Sequence, residues 1–192
     1  MTHIEKIEKL TEFIKEKHGN QLRKYVNTHY YNHPIRVGIL AFKHHTSNHL
    51  FLMEIGLCHD LFEDTDCTYE ELFNFLRKEL KYGKIEANII CEGVNHLTNE
   101  FTPEAYPGLN RKERKEKEAI RLRHIPWYCQ TVKYADIIDN LPSIVKHDPP
   151  FAKVYLEEKI QLLDVMRNGS IHLLIKCCAA INDAQNELKL ME

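Results

Sequence analysis

The stretch Leu57-Cys58-His59-Asp60-Leu61-Phe62-Glu63-Asp64-Thr65 sets two adjacent metal-capable side chains, His59 and Asp60, before two carboxylates. Read as a helix, it places Glu63 one turn beyond His59 and Asp64 one turn beyond Asp60, because residues four apart share a face. A lone His-Asp dipeptide is usually a capped or salt-bridged surface pair, so its context decides. Here the neighbours are Leu, Ile and Phe, and an acidic face among them is costly to bury unless a charged group is bound there. His33 lies upstream in Asn32-His33-Pro34, and Asp136 downstream in Tyr134-Ala135-Asp136-Ile137-Ile138-Asp139-Asn140. Together they complete a ligand set of two imidazoles and two carboxylates, and Asp136 begins a second one-turn pair with Asn140. Such a set with open positions suits a borderline divalent ion: manganese, iron, zinc, nickel or cobalt. A bound ion of this kind lowers the pKa of water and polarises a phosphoryl oxygen. Glu63 is the first choice for the carboxylate that takes the water's proton and Asp64 its partner, although spacing alone does not assign the two roles. The expected chemistry is metal-assisted hydrolysis.

A phosphorylated substrate needs positive charge beside it, and Arg23, Lys24, Arg111, Lys112, Arg114 and Lys115 supply it. Arg23 sits before an aromatic-rich stretch, where a guanidinium can stack on a purine. Residues 111–123 alternate Lys/Arg with Glu, the pattern of an exposed salt-bridged helix, so only one or two of them are expected to reach a ligand. The run Lys43-His44-His45-Thr46-Ser47-Asn48-His49 reads as a polar turn rather than a metal site. Six cysteines, at 58, 67, 91, 129, 177 and 178, show no Cys-x-x-Cys spacing. They read as reduced packing residues of a cytoplasmic protein. A net charge of -2 gives no pull toward nucleic acid or a membrane surface. No apolar run is long enough to span a bilayer, and the start lacks a signal-peptide pattern.

The elements that must position these residues are helices. Ile4, Ile7, Leu10, Phe13 and Ile14 recur at helical spacing, up to His18-Gly19. Pro34 suits the start of a helix through Phe42, and the His59-Asp60 helix is expected over about 50–61. Thr68-Tyr69-Glu70-Glu71 forms a capping box ahead of Leu72 and Phe75. Residues 85–97 are apolar on one side, and 99–110, with two prolines and a glycine, form the one long irregular segment. Asn110 can cap the charged helix after it. Residues 127–143 carry Asp136, Pro149-Pro150 opens a further helix, and Gly169-Ser170 separates it from the last. Seven glycines and seven prolines are few for a turn-rich β fold. The expectation is one all-α domain over 1–192 with seven to nine helices.

His33, His59-Asp60 and Asp136, in this order, resemble the H…HD…D signature of HD-domain metal-dependent phosphohydrolases. Asn32-His33-Pro34-Ile35-Arg36-Val37, His59-Asp60-Leu61-Phe62-Glu63-Asp64-Thr65, Glu92-Gly93-Val94-Asn95-His96-Leu97-Thr98 and Lys133-Tyr134-Ala135-Asp136 are similar to the hydrolase domain of the Rel/Spo alarmone enzymes. The likeness covers about residues 18–165, and the nearest relatives would be the stand-alone small alarmone hydrolases. It implies an HD-domain helical fold, a manganese cofactor and removal of the 3′-pyrophosphate from guanosine tetra- and pentaphosphate. By the resemblance, His33, His59, Asp60 and Asp136 are metal ligands, and Glu63 and Asp64 handle water and proton. It also places Asn140 near sugar and phosphate, Arg23 on the base and Tyr155 close to the substrate. The chain departs from the family pattern at Lys24-Tyr25-Val26-Asn27-Thr28-His29-Tyr30-Tyr31, at Asn95-His96 and at 101–110, all segments that bear on substrate recognition. The implied partner is a small-molecule nucleotide, with neither nucleic acid nor membrane. Two alternatives stand beside this: hydrolysis of another phosphorylated nucleotide or dinucleotide, and a nucleotide-binding regulatory module without turnover.

Overall fold

The computed structural model describes residues 1–44 and 51–191. Leu50, His45 and His49, which figure in the expected His59-Asp60 helix and the polar turn, lie outside the described residues. Among those described the chain is helical, with an isolated antiparallel bridge between Leu22 and His29 and no named strand. It falls into two compact units, Met1–Thr98 and Asn99–Glu192.

The first unit holds α1 (His3–His18), α2 (Asn32–Lys43), α3 (Leu52–Cys58), α4 (Leu61–Asp64), α5 (Tyr69–Lys78) and α6 (Lys84–Leu97). Thr2 starts α1 with a reciprocal capping box to Glu5, and Gly19 ends it at φ +50, a conformation that only glycine adopts without cost. Leu10 and Ile14 of α1, Val37 and Ala41 of α2, Ile55 and Cys58 of α3, and Ile90 and Val94 of α6 are fully buried and form the core. At Thr68 the expected box is half made. The hydroxyl accepts from the Glu71 N–H at 3.2 Å, but the Glu71 carboxylate instead meets Lys17 at 2.6 Å. The expected helix through His59 is broken at His59-Asp60 into α3 and α4. With these two taken as one bent helix, the described segments number nine.

The second unit holds α7 (Arg111–Leu122), α8 (Trp127–His147), α9 (Pro149–Val165) and α10 (Ile171–Leu190). Asn110 and Glu113 cap α7 reciprocally, and Pro149 opens α9. Helix α8 is the spine, packed against α9 and α10 through Ile137, Leu141, Leu156, Leu163, Leu173 and Ile181. Buried polar side chains fix its first turns. Gln130 Oε1 accepts from the Asn168 N–H at 2.9 Å, Thr131 Oγ1 from the Ser170 N–H at 2.9 Å, and Tyr134 Oη donates to the Met166 carbonyl at 2.6 Å. Gly169 makes room for this latch, since a Cβ there would lie 2.5 Å from the Tyr134 ring. Five cysteines are buried and Cys178 is exposed. No helix among the described residues is long and apolar enough to cross a membrane.

Candidate metal centre

Helices α2 and α3 cross at two glycines. A Cβ on Gly56 would lie 2.5 Å from the Gly38 Cα, and one on Gly38 would lie 2.9 Å from the Met53 carbonyl oxygen. The backbones approach this closely only because both side chains are missing. The crossing brings the first turn of α2, which carries His33, against the end of α3, where the chain bends through His59 and Asp60. One ligand atom from each of these three residues lies within 4.8 Å of the others. His33 and His59 are each 1% exposed, so both imidazoles are committed to the interior.

The donor chemistry fits a cation. His59 Nδ1 lies 2.8 Å from the Gly56 carbonyl, which can only accept, so Nδ1 carries the hydrogen and, in the neutral ring, Nε2 carries the lone pair. That Nε2 is 3.1 Å from Asp60 Oδ1, while His33 Nε2 is 3.5 Å from Asp60 Oδ2. The His59 Nε2 lone pair and the Asp60 oxygen, facing each other so closely, repel unless a positive charge lies between them. Two ligands about 2.1 Å from one ion at a right angle sit about 3 Å apart. A carbonyl held by the second ring nitrogen is the usual way an imidazole is oriented for a metal. The group could therefore hold a divalent ion.

Tyr30 closes the site on one side. Its hydroxyl donates to Asp60 Oδ2 at 2.7 Å and is also within hydrogen-bond reach of Asp64. Burial and these two carboxylates push its pKa far above the ordinary phenol value. The buried His18 ring packs on Tyr30 with centroids 5.0 Å apart, and its Nδ1 meets Gln21 Oε1 at 2.9 Å. Glu63 and Asp64 lie on the exposed rim of α4, one turn past Asp60, whose carbonyl accepts from their N–H groups at 3.2 and 2.8 Å. The bend after α3 turns them outward rather than onto a buried face. The surrounding protein, together with the Asp60 and Glu63 charges, raises the Asp64 pKa above the ordinary carboxylate value, although Tyr30 and His18 pull it down. Arg23 is half-buried in the turn closed by its N–H to the Thr28 carbonyl at 3.0 Å, and exposed Lys24 donates to Tyr25 Oη at 3.0 Å.

The remaining expected residues lie in the second unit. Asp136, 8% exposed, has both oxygens engaged: Lys133 Nζ is 2.9 Å from Oδ2, and Asn140 Nδ2 donates to Oδ1 at 2.6 Å. The one-turn pairing of Asp136 with Asn140 is thus made. Tyr155 on α9 is buried, with Lys159 Nζ 4.7 Å from its ring centroid. Arg111 grips Glu158 through Nε at 2.7 Å and Nη2 at 2.9 Å, and Arg114 donates to the Leu109 carbonyl. Sequence reasoning gave no role to Tyr30, Lys133 or Lys159. For Lys133 the signal was present, three residues before Asp136 and so on its helical face. Tyr30 lies outside any helix, so spacing could not link it to Asp60, and Lys159 lies on α9, so spacing could not link it to Lys133 and Asp136 on α8.

No family model matches the chain. A guanosine-3′,5′-bis(diphosphate) 3′-pyrophosphohydrolase of Aquifex aeolicus is 38% identical over 99 residues, half of this chain, but the match spans only 12% of that protein's length. The MESH1 guanosine-3′,5′-bis(diphosphate) 3′-pyrophosphohydrolase of Danio rerio is 31% identical over 138 residues, covering 71% of this chain and 68% of that one. Its Xenopus tropicalis counterpart is 29% identical over 150 residues, 78% and 73% of the two chains. A solved structure of a metazoan ortholog of SpoT, described as hydrolyzing ppGpp with a role in starvation responses, shares the fold. It matches with a TM-score of 0.73 at 22% identity over 93% of this chain and 94% of that one. The extent of the Danio rerio match, over more than two thirds of both proteins, places this chain in the MESH1 family of HD-type hydrolases.

Proposed function

We propose that the chain is a metal-dependent pyrophosphohydrolase that removes the 3′-pyrophosphate of guanosine tetra- and pentaphosphate. The observation that carries this is the cluster of His33, His59 and Asp60, its two imidazoles buried, with Glu63 and Asp64 one turn on, in a chain of the MESH1 family. His33, His59, Asp60 and Asp136 would hold the ion, with manganese favoured. When bound, the ion supplies Lewis acidity to the phosphoryl group and acidifies water.

The chain's own residues do the rest. Glu63 and Asp64 accept the proton of the attacking water and return one to the ribose 3′ oxygen as its bond to phosphorus breaks. Asp64, with its raised pKa, is the member better suited to hold a proton for the leaving oxygen. Tyr30 keeps the Asp60 carboxylate in one orientation. Arg23 stacks on the base, while Lys24, Asn140, Tyr155, Arg111 and Arg114 are proposed to contact sugar and phosphates. The products are pyrophosphate and a 5′-di- or triphosphate. The test is product identification by chromatography with added manganese, over guanosine tetraphosphate, adenine dinucleotides, cyclic nucleotides and ordinary nucleoside phosphates. The expected products from the tetraphosphate are GDP and pyrophosphate, with the 5′-diphosphate intact. Cleavage of another member of the panel while the alarmone is untouched would overturn the substrate assignment and leave the metal chemistry standing.

A further inference from the structure

Three lysines from three helices of the second unit, Lys115 on α7, Lys133 on α8 and Lys159 on α9, line one recess with Asn99, Glu118 and Glu158. Its volume is about 60 Å³. That is far below the ~300 Å³ at which pockets begin to take drug-sized ligands. A recess of this size suits a small ligand on the scale of one tetrahedral oxyanion. Ala119, Leu122 and Leu162 complete the lining, so the recess is partly apolar, and charge there is screened less than in water.

The carboxylates on the wall already serve arginines. Glu158 takes the two-pronged grip of Arg111. Glu118 accepts from Arg121 and from the N–H groups of Glu100 at 3.3 Å and Phe101 at 3.4 Å. Asp136 faces Lys133, and Glu100 reaches Arg121 at 3.8 Å. Among the residues that line the recess, Lys115, Lys133 and Lys159 outnumber Glu118 and Glu158. The Lys159 pKa, lowered to about 8 by burial and then by the neighbouring Lys133 charge, agrees with this crowding.

We propose that this recess is a phosphate site, in which Lys115, Lys133 and Lys159 bind a single phosphoryl group. Lysine binds phosphate as a compact point charge, and three of them converging from separate helices can surround one anion. Two sources share this chemistry: a phosphate of the bound nucleotide, and free inorganic phosphate. The first rests on the hydrolase reading above; the existence of the site does not.

The experiment is calorimetric titration of the full chain with inorganic phosphate, carried out with chelator present so that binding to a metal does not contribute. Saturable binding is expected in the wild type, weakened at least tenfold in Lys159→Met and in Lys115→Gln, and kept within about threefold in Lys159→Arg. Helical circular dichroism shows that each variant is folded. No saturable binding to the wild type, or equal binding by wild type and both charge-removing variants, overturns the site. Steady-state kinetics then separate the sources. Competition of phosphate with the nucleotide, with a raised KM in Lys159→Met, assigns the recess to the substrate's own phosphate. Inhibition or activation without competition assigns it to free phosphate. A chain that leaves the alarmone intact yet binds phosphate through these lysines refutes the hydrolase reading alone.

Discussion

On the proposed reading Glu63 and Asp136 serve different purposes, proton transfer and metal ligation, and should fail differently. Glu63→Gln keeps size and a hydrogen-bonding tip but cannot accept a proton, so turnover should fall by about 10²–10⁴ with metal content unchanged. Wild-type turnover in that variant would move the proton to Asp64. Asp136→Ala should lower metal content as well as activity, because a lost ligand weakens the site; metal analysis that finds full occupancy would remove it from the ligand set. Lys159 carries a pH signature. Its folded pKa of about 8 lies below the ordinary 10.5, so below pH 8 the ammonium is present in both folded and unfolded chains and its penalty is complete. Between those two values the unfolded chain holds a proton that the folded one has lost, and wild-type stability climbs with pH. Urea unfolding over pH 7–10.5 should show Lys159→Met gaining most at pH 7, the gain shrinking toward pH 10.5. A gain independent of pH would trace to packing instead.

At the scale of elements, local rules predicted what local interactions decide. Asn110, Thr68 and Pro149 each marked a helix start, because caps satisfy orphan N–H groups within one turn. The break at His59-Asp60 was not legible, since neither proline nor glycine marks it. Nor could spacing show that His33 would meet His59, since that encounter depends on packing between α2 and α3. The two glycines at this crossing are the device. Gly56→Ala should force the helices apart, destabilise the fold by about 1–3 kcal/mol as over-packed cores do, and lower metal affinity although no ligand is changed. Denaturant unfolding and metal titration check this; wild-type affinity in the folded variant would mean the crossing does not set the ligand geometry.

For the molecule as a whole, the distribution of thiols has a practical meaning. Five cysteines are buried, and burial raises the pKa of Cys67 to about 11 and those of Cys91 and Cys177 to about 12. Thiolate is the reactive form, so these groups should be silent toward Ellman's reagent in the native protein. Cys178 alone is exposed, on α10. Native protein should therefore release one equivalent of chromophore rapidly and all six only in denaturant; three or more fast equivalents would show that the core opens on that timescale. If the count is one, the wild-type chain accepts a fluorophore or spin label at a single position of the second unit, and ligand-induced motion there can be followed spectroscopically without engineering a cysteine.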